Sequence, residues 1–259
     1  MEASFPMNSS ITSLSKKGLS LLAICLLWQF AALQMDPFVL PGPLETIRTF
    51  LHYLGDPEFY YAVYRTLNKL IIGMICVLLL GGSLGLLIGL RKSCKPYLEP
   101  VIDMMQSIPP IAWLGIAIIW FGLTDVPSIF IIVLSTTPVL VVNLHEGFAS
   151  IDSKLLRMAQ VYHIPRQKVL RHIILPSLSS HLKSGMITAA GLGWKLAVMA
   201  ELLTSTDGIG SLLSDARTNL ETSRVFALAL FMAVFWNVIK LCIMYLFRSR
   251  VSLPAHLNK

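Results

Sequence analysis

Charge is scarce in this chain. Of its 259 residues only 14% are Asp, Glu, Lys or Arg, against roughly a quarter in a soluble globular domain. Hydrophobic side chains make up 55% and the mean hydropathy is +0.69, so most of the chain must meet lipid or other apolar helices. That excludes a soluble enzyme. Cysteine is sparse too. Cys25, Cys76, Cys94 and Cys242 show no CxxC spacing, which leaves no disulfide framework and no zinc site. The GxxxxGK[ST] order of a nucleotide-binding loop is missing, so nothing here binds or hydrolyses ATP. His145-Glu146 is followed by Gly147, Phe148 and Ala149, which rules out the HExxH zinc pattern, and the six histidines are scattered. No catalytic residue, metal ligand or cofactor is expected.

What is present is a series of apolar runs. A bilayer core about 30 Å thick needs roughly 17 to 25 helical residues. Six stretches qualify: 18–35, 67–90, 101–123, 126–144, 184–203 and 225–247. The expected fold is therefore all-α, a single polytopic domain over 1–259 with six transmembrane helices. Pro109 and Pro110 interrupt the third span, and Pro127 and Pro138 are expected to break the fourth. Backbone freed by proline at membrane depth is tolerated where it is buried in protein or lines a wet cavity, which makes Pro109 and Pro110 candidates for a path through the membrane. A simple kink is the alternative.

The net charge of +7 reflects compartment, not an anionic polymer, so no nucleic-acid partner follows. With the amino terminus inside, the inner pieces hold Lys16, Lys17, Arg91, Lys92, Lys95, Lys154, Arg157, Arg166, Lys168, Arg171, Lys183, Arg248, Arg250 and Lys259. The outer pieces hold only Arg48, Arg65, Lys69, Arg217 and Arg224. Both termini are thus expected in the cytoplasm. The run after Lys16-Lys17 is longer than a usual signal core and is read as an uncleaved helix.

Between the spans, Pro41-Gly42-Pro43 precedes Leu44, Ile47, Phe50, Leu51 and Leu54 at helical spacing, an amphipathic helix on the membrane surface or against the bundle. Gly81, Gly85 and Gly89 at four-residue intervals suit close helix packing. The long inner loop, 145–183, is expected to hold two short helices that meet at His163, one capped by Asp152 or Ser153 and one restarted by Ile164-Pro165. Leu156, Ala159, Tyr162 and Ile164 form an apolar patch beside Lys154 and Arg157, suited to docking in a groove or beneath the protein's own bundle.

In this loop Arg157-Met158-Ala159, His163 and Ile173-Ile174-Leu175-Pro176 keep the spacing of an E-A-A, three residues, G, nine residues, I-x-L-P motif. Arg157, Met158 and His163 replace its first Glu, its first Ala and its Gly. Ser107-Ile108-Pro109-Pro110, Trp120-Phe121-Gly122, Ala200-Glu201-Leu202-Leu203, Gly208-Ile209-Gly210 and Arg224-Val225-Phe226-Ala227 add to the likeness. On these residues the chain resembles the permease subunits of bacterial ATP-binding-cassette importers, in the nitrate, sulfonate and taurine branch. The resemblance implies a multi-pass inner-membrane protein that moves a small anionic solute inward. It also implies a second permease copy, two cytoplasmic ATPase subunits that use ATP and magnesium, and an external substrate-binding protein. Coupling to the ATPase then falls on Arg157, Met158, Ala159 and His163, with Pro176 ending the loop.

Lys195 lies near the middle of the fifth span, where a charge costs roughly 2.5 to 3.5 kcal/mol on insertion scales. It reads either as a lure for an anion or as a structural ion pair with Glu201. Trp113 and Trp120, seven residues apart on one face, either line the path or pack. Two rival readings are a secondary transporter, which would need coupling carboxylates near the midplane, and a permease of the same class carrying a thiamine-precursor-like molecule.

Overall fold

The computed structural model describes residues 8–36, 38–204 and 207–246, and Phe247, Arg248, Arg250 and Lys259, expected at the inner end of the last span and beyond it, lie outside them. Among the described residues every regular element is helical. In chain order they are α1 (Asn8–Gln34), α2 (Pro43–Tyr53), α3 (Pro57–Leu90), α4 (Lys95–Ser107), α5 (Pro110–Phe121), α6 (Val126–Ala149), α7 (Ser153–Val161), α8 (Arg166–Val169), α9 (Leu175–Thr204), α10 (Ile209–Thr218) and α11 (Thr222–Leu246). By contacts the chain divides into two units, Met1–Phe59 with Asp215–Met232, and Tyr60–Ser214 with Ala233–Lys259.

Six spans are expected, and the helices distribute them less evenly. α3, α6, the run Arg166–Thr204 and α11 are each long and apolar enough to cross a membrane. Gly18–Gln34 is a shorter apolar helix, and α4 with α5 forms a broken span bent by 93°. The bend corrects the single third span of the sequence reading. Ile108 precedes Pro109 and Pro109 precedes Pro110, and each residue before a proline is pushed out of the α region. Ile108 accordingly has ψ 126° and Pro109 ψ 136°. Two extended residues in succession turn the chain, and Pro110 opens α5 where its missing N–H has no helical partner to lose.

The expected break in the fourth span does not occur. Pro127 sits in the first turn of α6 and the helix continues through Pro138. Pro138 is buried, as are Ile131, Ile132, Thr136, Thr137, Leu140, Val141 and Leu144. Packing on both sides of α6 holds the helix where the proline removes a hydrogen bond.

That packing is glycine-mediated on one side, as the four-residue spacing predicted. A Cβ at Gly85 would lie 2.8 Å from Leu144, one at Gly81 3.2 Å from Leu140, and one at Gly89 would strike the Phe148 ring. α3 and α6 thus touch backbone to side chain over two turns. α9 meets the same α6 residue from its own direction, since a Cβ on Gly185 would lie 2.9 Å from Leu140. In the unit that contains it, α6 is the axle of the fold.

In the smaller unit, α2 packs on the start of α11 through aromatic rings. Phe59 meets Tyr53 at 5.4 Å between centroids and Phe231 edge-on at 4.8 Å, and Phe50 lies 6.4 Å from Phe231. Trp28 of α1 stacks on Phe226 and donates its indole N–H to the Pro41 carbonyl at 3.1 Å.

Candidate functional site

α3 begins ten residues earlier than expected. Pro57 opens it, Asp56 accepts from the Glu58 N–H at 2.9 Å, and no breaker follows for more than a dozen residues. Arg65 and Lys69, read from sequence as outer-loop cations, therefore stand one turn apart inside a helix. Lys69 is only 2% exposed and Glu201, near the end of α9, is fully buried.

These charges meet. Lys69 Nζ donates to Glu201 Oε1 at 3.0 Å and to the Asp207 carbonyl at 2.6 Å, and lies 3.1 Å from Asp125 Oδ1. Arg65 donates to Asp125 Oδ2 at 2.5 Å. Asp125 immediately precedes α6 but caps nothing with its side chain, because its carboxylate is drawn to the two cations. Glu201 also accepts from Thr66 Oγ1 at 2.8 Å and from the Gly210 N–H at 3.0 Å, while Thr66 Oγ1 accepts from the Ile209 N–H at 2.9 Å. The carboxylate therefore sits at the amino-terminal end of α10, where the helix dipole favours it.

The approach is so close that a Cβ on Gly208, at φ 151°, would collide with the Glu201 carboxylate, and one on Gly210 with Glu201 Cβ and the Val198 carbonyl. This explains both Gly208-Ile209-Gly210 and Ala200-Glu201-Leu202-Leu203 as parts of one clamp. Sequence reasoning missed Lys69, Thr66 and Asp125. The usable signal was an acidic residue in an apolar span with a basic pair, four residues apart, in an unbroken helix.

The clamp also removes Glu201 as a partner for Lys195. Lys195 is exposed in the middle of α9, and no ion pair forms at it among the described residues. It shares one open face of α9 with Ser184, Thr188, Leu192 and Leu203, all at helical spacing. The remaining pathway candidates do not assemble into a single lining. Pro109 and Pro110 are exposed at the α4–α5 bend. Trp120 is exposed beside the Phe121 and Phe130 rings. Trp113 is half-buried, with its Nε1 enclosed and lacking a hydrogen-bond acceptor. α5 turns Leu114 and Ala117 inward instead.

At the other end of α6, the loop folds as two helices around His163. The Asp152 carboxylate accepts from the Lys154 N–H at 2.7 Å and caps α7. His163 has φ 51°, its N–H donates to the Gln160 carbonyl at 3.1 Å, and the Ile164 N–H donates to the Ala159 carbonyl at 2.9 Å. That pair of bonds is a Schellman termination, with histidine in the left-handed position that usually takes glycine. The turn buries Ala159, 3% exposed, and half-buries Leu156 and Ile164. The residues expected to couple thus divide between two faces. Leu156, Ala159 and Ile164 face the chain's own body, and the open apolar face is Leu155, Met158, Val161 and Tyr162, with Arg157 exposed beside it.

Pro176 does not end the loop, because the helix runs on from Arg166 to Thr204. Pro176 has no N–H to give the His172 carbonyl, and the turn before it widens to a π turn over Leu170–Ile174, in which the Leu175 N–H reaches the Leu170 carbonyl.

Residues 78–252 match the family described as binding-protein-dependent transport system inner membrane component. The chain is 29% identical over 221 residues to SsuC of Bacillus subtilis (strain 168), a protein named for aliphatic sulfonates transport, covering 84% of this chain and 80% of that one. It is 28% identical over 206 residues to the taurine transport system permease protein TauC of Escherichia coli (strain K12), covering 77% and 75%. It is 26% identical over 200 residues to the nitrate import permease protein NrtB of Synechococcus elongatus, covering 73% and 72%. In fold it is similar to a chain of the inward-facing MetNI methionine ABC transporter, with a TM-score of 0.64 at 13% identity over 74% of this chain and 95% of that one. With its apolar helices on the α6 axle and a family match over most of its length, the chain belongs to the binding-protein-dependent transport system inner membrane components, and is a permease of an ATP-binding-cassette importer.

Proposed function

We propose that the solute is a small anion of the sulfonate, taurine or nitrate class, and that Lys195 attracts it within the membrane. The observation that supports this reading is the contrast between two lysines. Lys69 is buried and neutralised by Glu201 and Asp125, whereas Lys195 stands exposed on an open face of a span and forms no ion pair among the described residues. An unpaired cation at membrane depth is costly against lipid, so a second permease copy facing α9 across a wet path gives Lys195 a tolerable setting. In this reading the chain works as one permease domain with both termini in the cytoplasm. An external binding protein delivers the solute, and two ATPase subunits, which hold the ATP and magnesium, grip α7 through Leu155, Met158, Val161 and Tyr162. Pro109, Pro110, Trp113 and Trp120 are proposed to shape the path from the α4–α5 bend. The kinked, proline-bearing helix pair supports that role.

The test is uptake by the reconstituted transporter. Lys195→Met should lower anion uptake at least tenfold and Lys195→Arg should keep most of it. Normal uptake by Lys195→Met would remove the lure.

A further inference from the structure

We propose that α2 is an interfacial helix, lying in the plane of the membrane with an apolar stripe sunk into lipid at the surface reached by the carboxyl-terminal end of α1. Around its circumference α2 carries three arcs. Thr46, Phe50 and Tyr53 face inward, with Thr46 and Tyr53 buried and Phe50 on the Phe231 ring. Next to them lies an open stripe of Leu44, Ile47, Leu51 and Leu54, exposed by 61, 46, 58 and 40%. Arg48, His52 and Glu45 are exposed on the third arc. A helix with one apolar face committed to its own protein and a second left open needs a second apolar partner.

The surroundings name that partner. α1 is an apolar helix whose Leu22, Leu26, Phe30 and Leu33 are all exposed, as lipid contact requires. Only a few residues separate the end of α1 at Gln34 from the start of α2 at Pro43. The Trp28 bond to the Pro41 carbonyl ties that connection back to α1, so the stripe lies next to a helix whose own apolar side chains are open. Arg48 borders the stripe, where its stem can run along apolar surface while the guanidinium meets phosphate headgroups.

The test places the protein in vesicles of phosphatidylethanolamine and phosphatidylglycerol. With Cys25, Cys76, Cys94 and Cys242 changed to Ser, a bimane label is put on Leu51→Cys or on His52→Cys, and quenching by acyl-chain nitroxide lipid is compared. The label at 51 should be quenched at least about twofold more than that at 52. Equal quenching overturns the proposal. So does an oxidative cross-link between two copies through residue 51, or shielding of that site only when the external binding protein is added. A second measurement needs no substitution: phosphatidylglycerol bearing an acyl-chain diazirine should label the segment 43–54 of the unaltered chain. Failure to label it, while α1 is labelled, likewise overturns the assignment.

Discussion

The two ends of the α6 axle are held in opposite ways. At one end buried Lys69 and Glu201, half-buried Asp125 and Arg65, and the start of α10 form a mutually bonded set that joins α3, α6, α9 and α10. At the other, α7 is held by one cap, one left-handed turn and the small side chain of Ala159, and most of its surface is open. A charge network in low dielectric is costly to disturb piecemeal. A short helix on a reverse turn moves with little resistance. The difference gives the fold a fixed end and a compliant end, as expected of a device driven from a loop.

The sharpest way to break this comparison is at the clamp. Glu201→Ala leaves Lys69 buried with Asp125 as its remaining carboxylate among the described residues, and removal of one partner from a buried pair costs about 3–5 kcal/mol. We expect loss of the folded protein or a large fall in Tm in detergent. The double variant Lys69→Met with Glu201→Met should recover much of the loss, because two apolar side chains of similar volume leave no unpaired charge. A single variant with unchanged Tm would show that the two ends do not differ in this way.

Next in size is the wall between them. Gly89→Val forces a side chain into the Phe148 ring, and overpacking of this kind costs about 1–3 kcal/mol. Gly82, one residue from Gly81, meets nothing within 4 Å, so Gly82→Ala should hold stability or raise it by up to about 1 kcal/mol, as Ala for Gly does inside a helix. Equal effects at both positions would mean that α3 and α6 do not touch where the glycines lie.

The sequence reading reached the compliant end more fully than the fixed one, for a physical reason. Caps and turns are local: Asp152, the interval to His163 and Pro165 announce α7 and its termination within a dozen residues. The clamp is not local, since Lys69 and Glu201 lie 132 residues apart. Only the folded chain shows that the single carboxylate of one span answers the basic residues of another. Helix direction was equally hidden. Leu156, Ala159 and Tyr162 look like docking residues by composition, but in the fold Leu156 and Ala159 turn inward while Tyr162 stays open beside Leu155 and Met158. Proline told opposite stories. Ile108-Pro109-Pro110 bends the chain because two residues in a row are denied the α region, whereas lone Pro138 is carried by its neighbours.

At the compliant end the expected effects on stability are smaller and those on coupling larger. Met158→Asp places a carboxylate on the open face of α7, where the methionine is exposed, so the stability of the fold should change by less than about 0.5 kcal/mol. ATP hydrolysis by the assembled transporter should then cease to drive uptake. Ala159→Asp differs, because the residue is buried by its own chain and the variant should lose stability before coupling is tested.

The turn itself is tested by His163→Gly. Histidine at φ 51° tolerates the left-handed region less well than glycine, and relief of that strain offsets the greater freedom glycine gives the unfolded chain. The net shift should stay within about 1 kcal/mol, whereas His163→Val, whose branched Cβ resists positive φ, should cost about 1–3 kcal/mol and fray α7 first. Hydrogen exchange resolves the two ends in one experiment. Amides of α7 should exchange faster in His163→Val while those around Glu201 and Gly210 keep their protection, because the turn and the clamp are separated by the length of α6. Faster exchange at both ends together would mean that the axle transmits local opening along its whole length, and the compliant end would then not be independent of the fixed one.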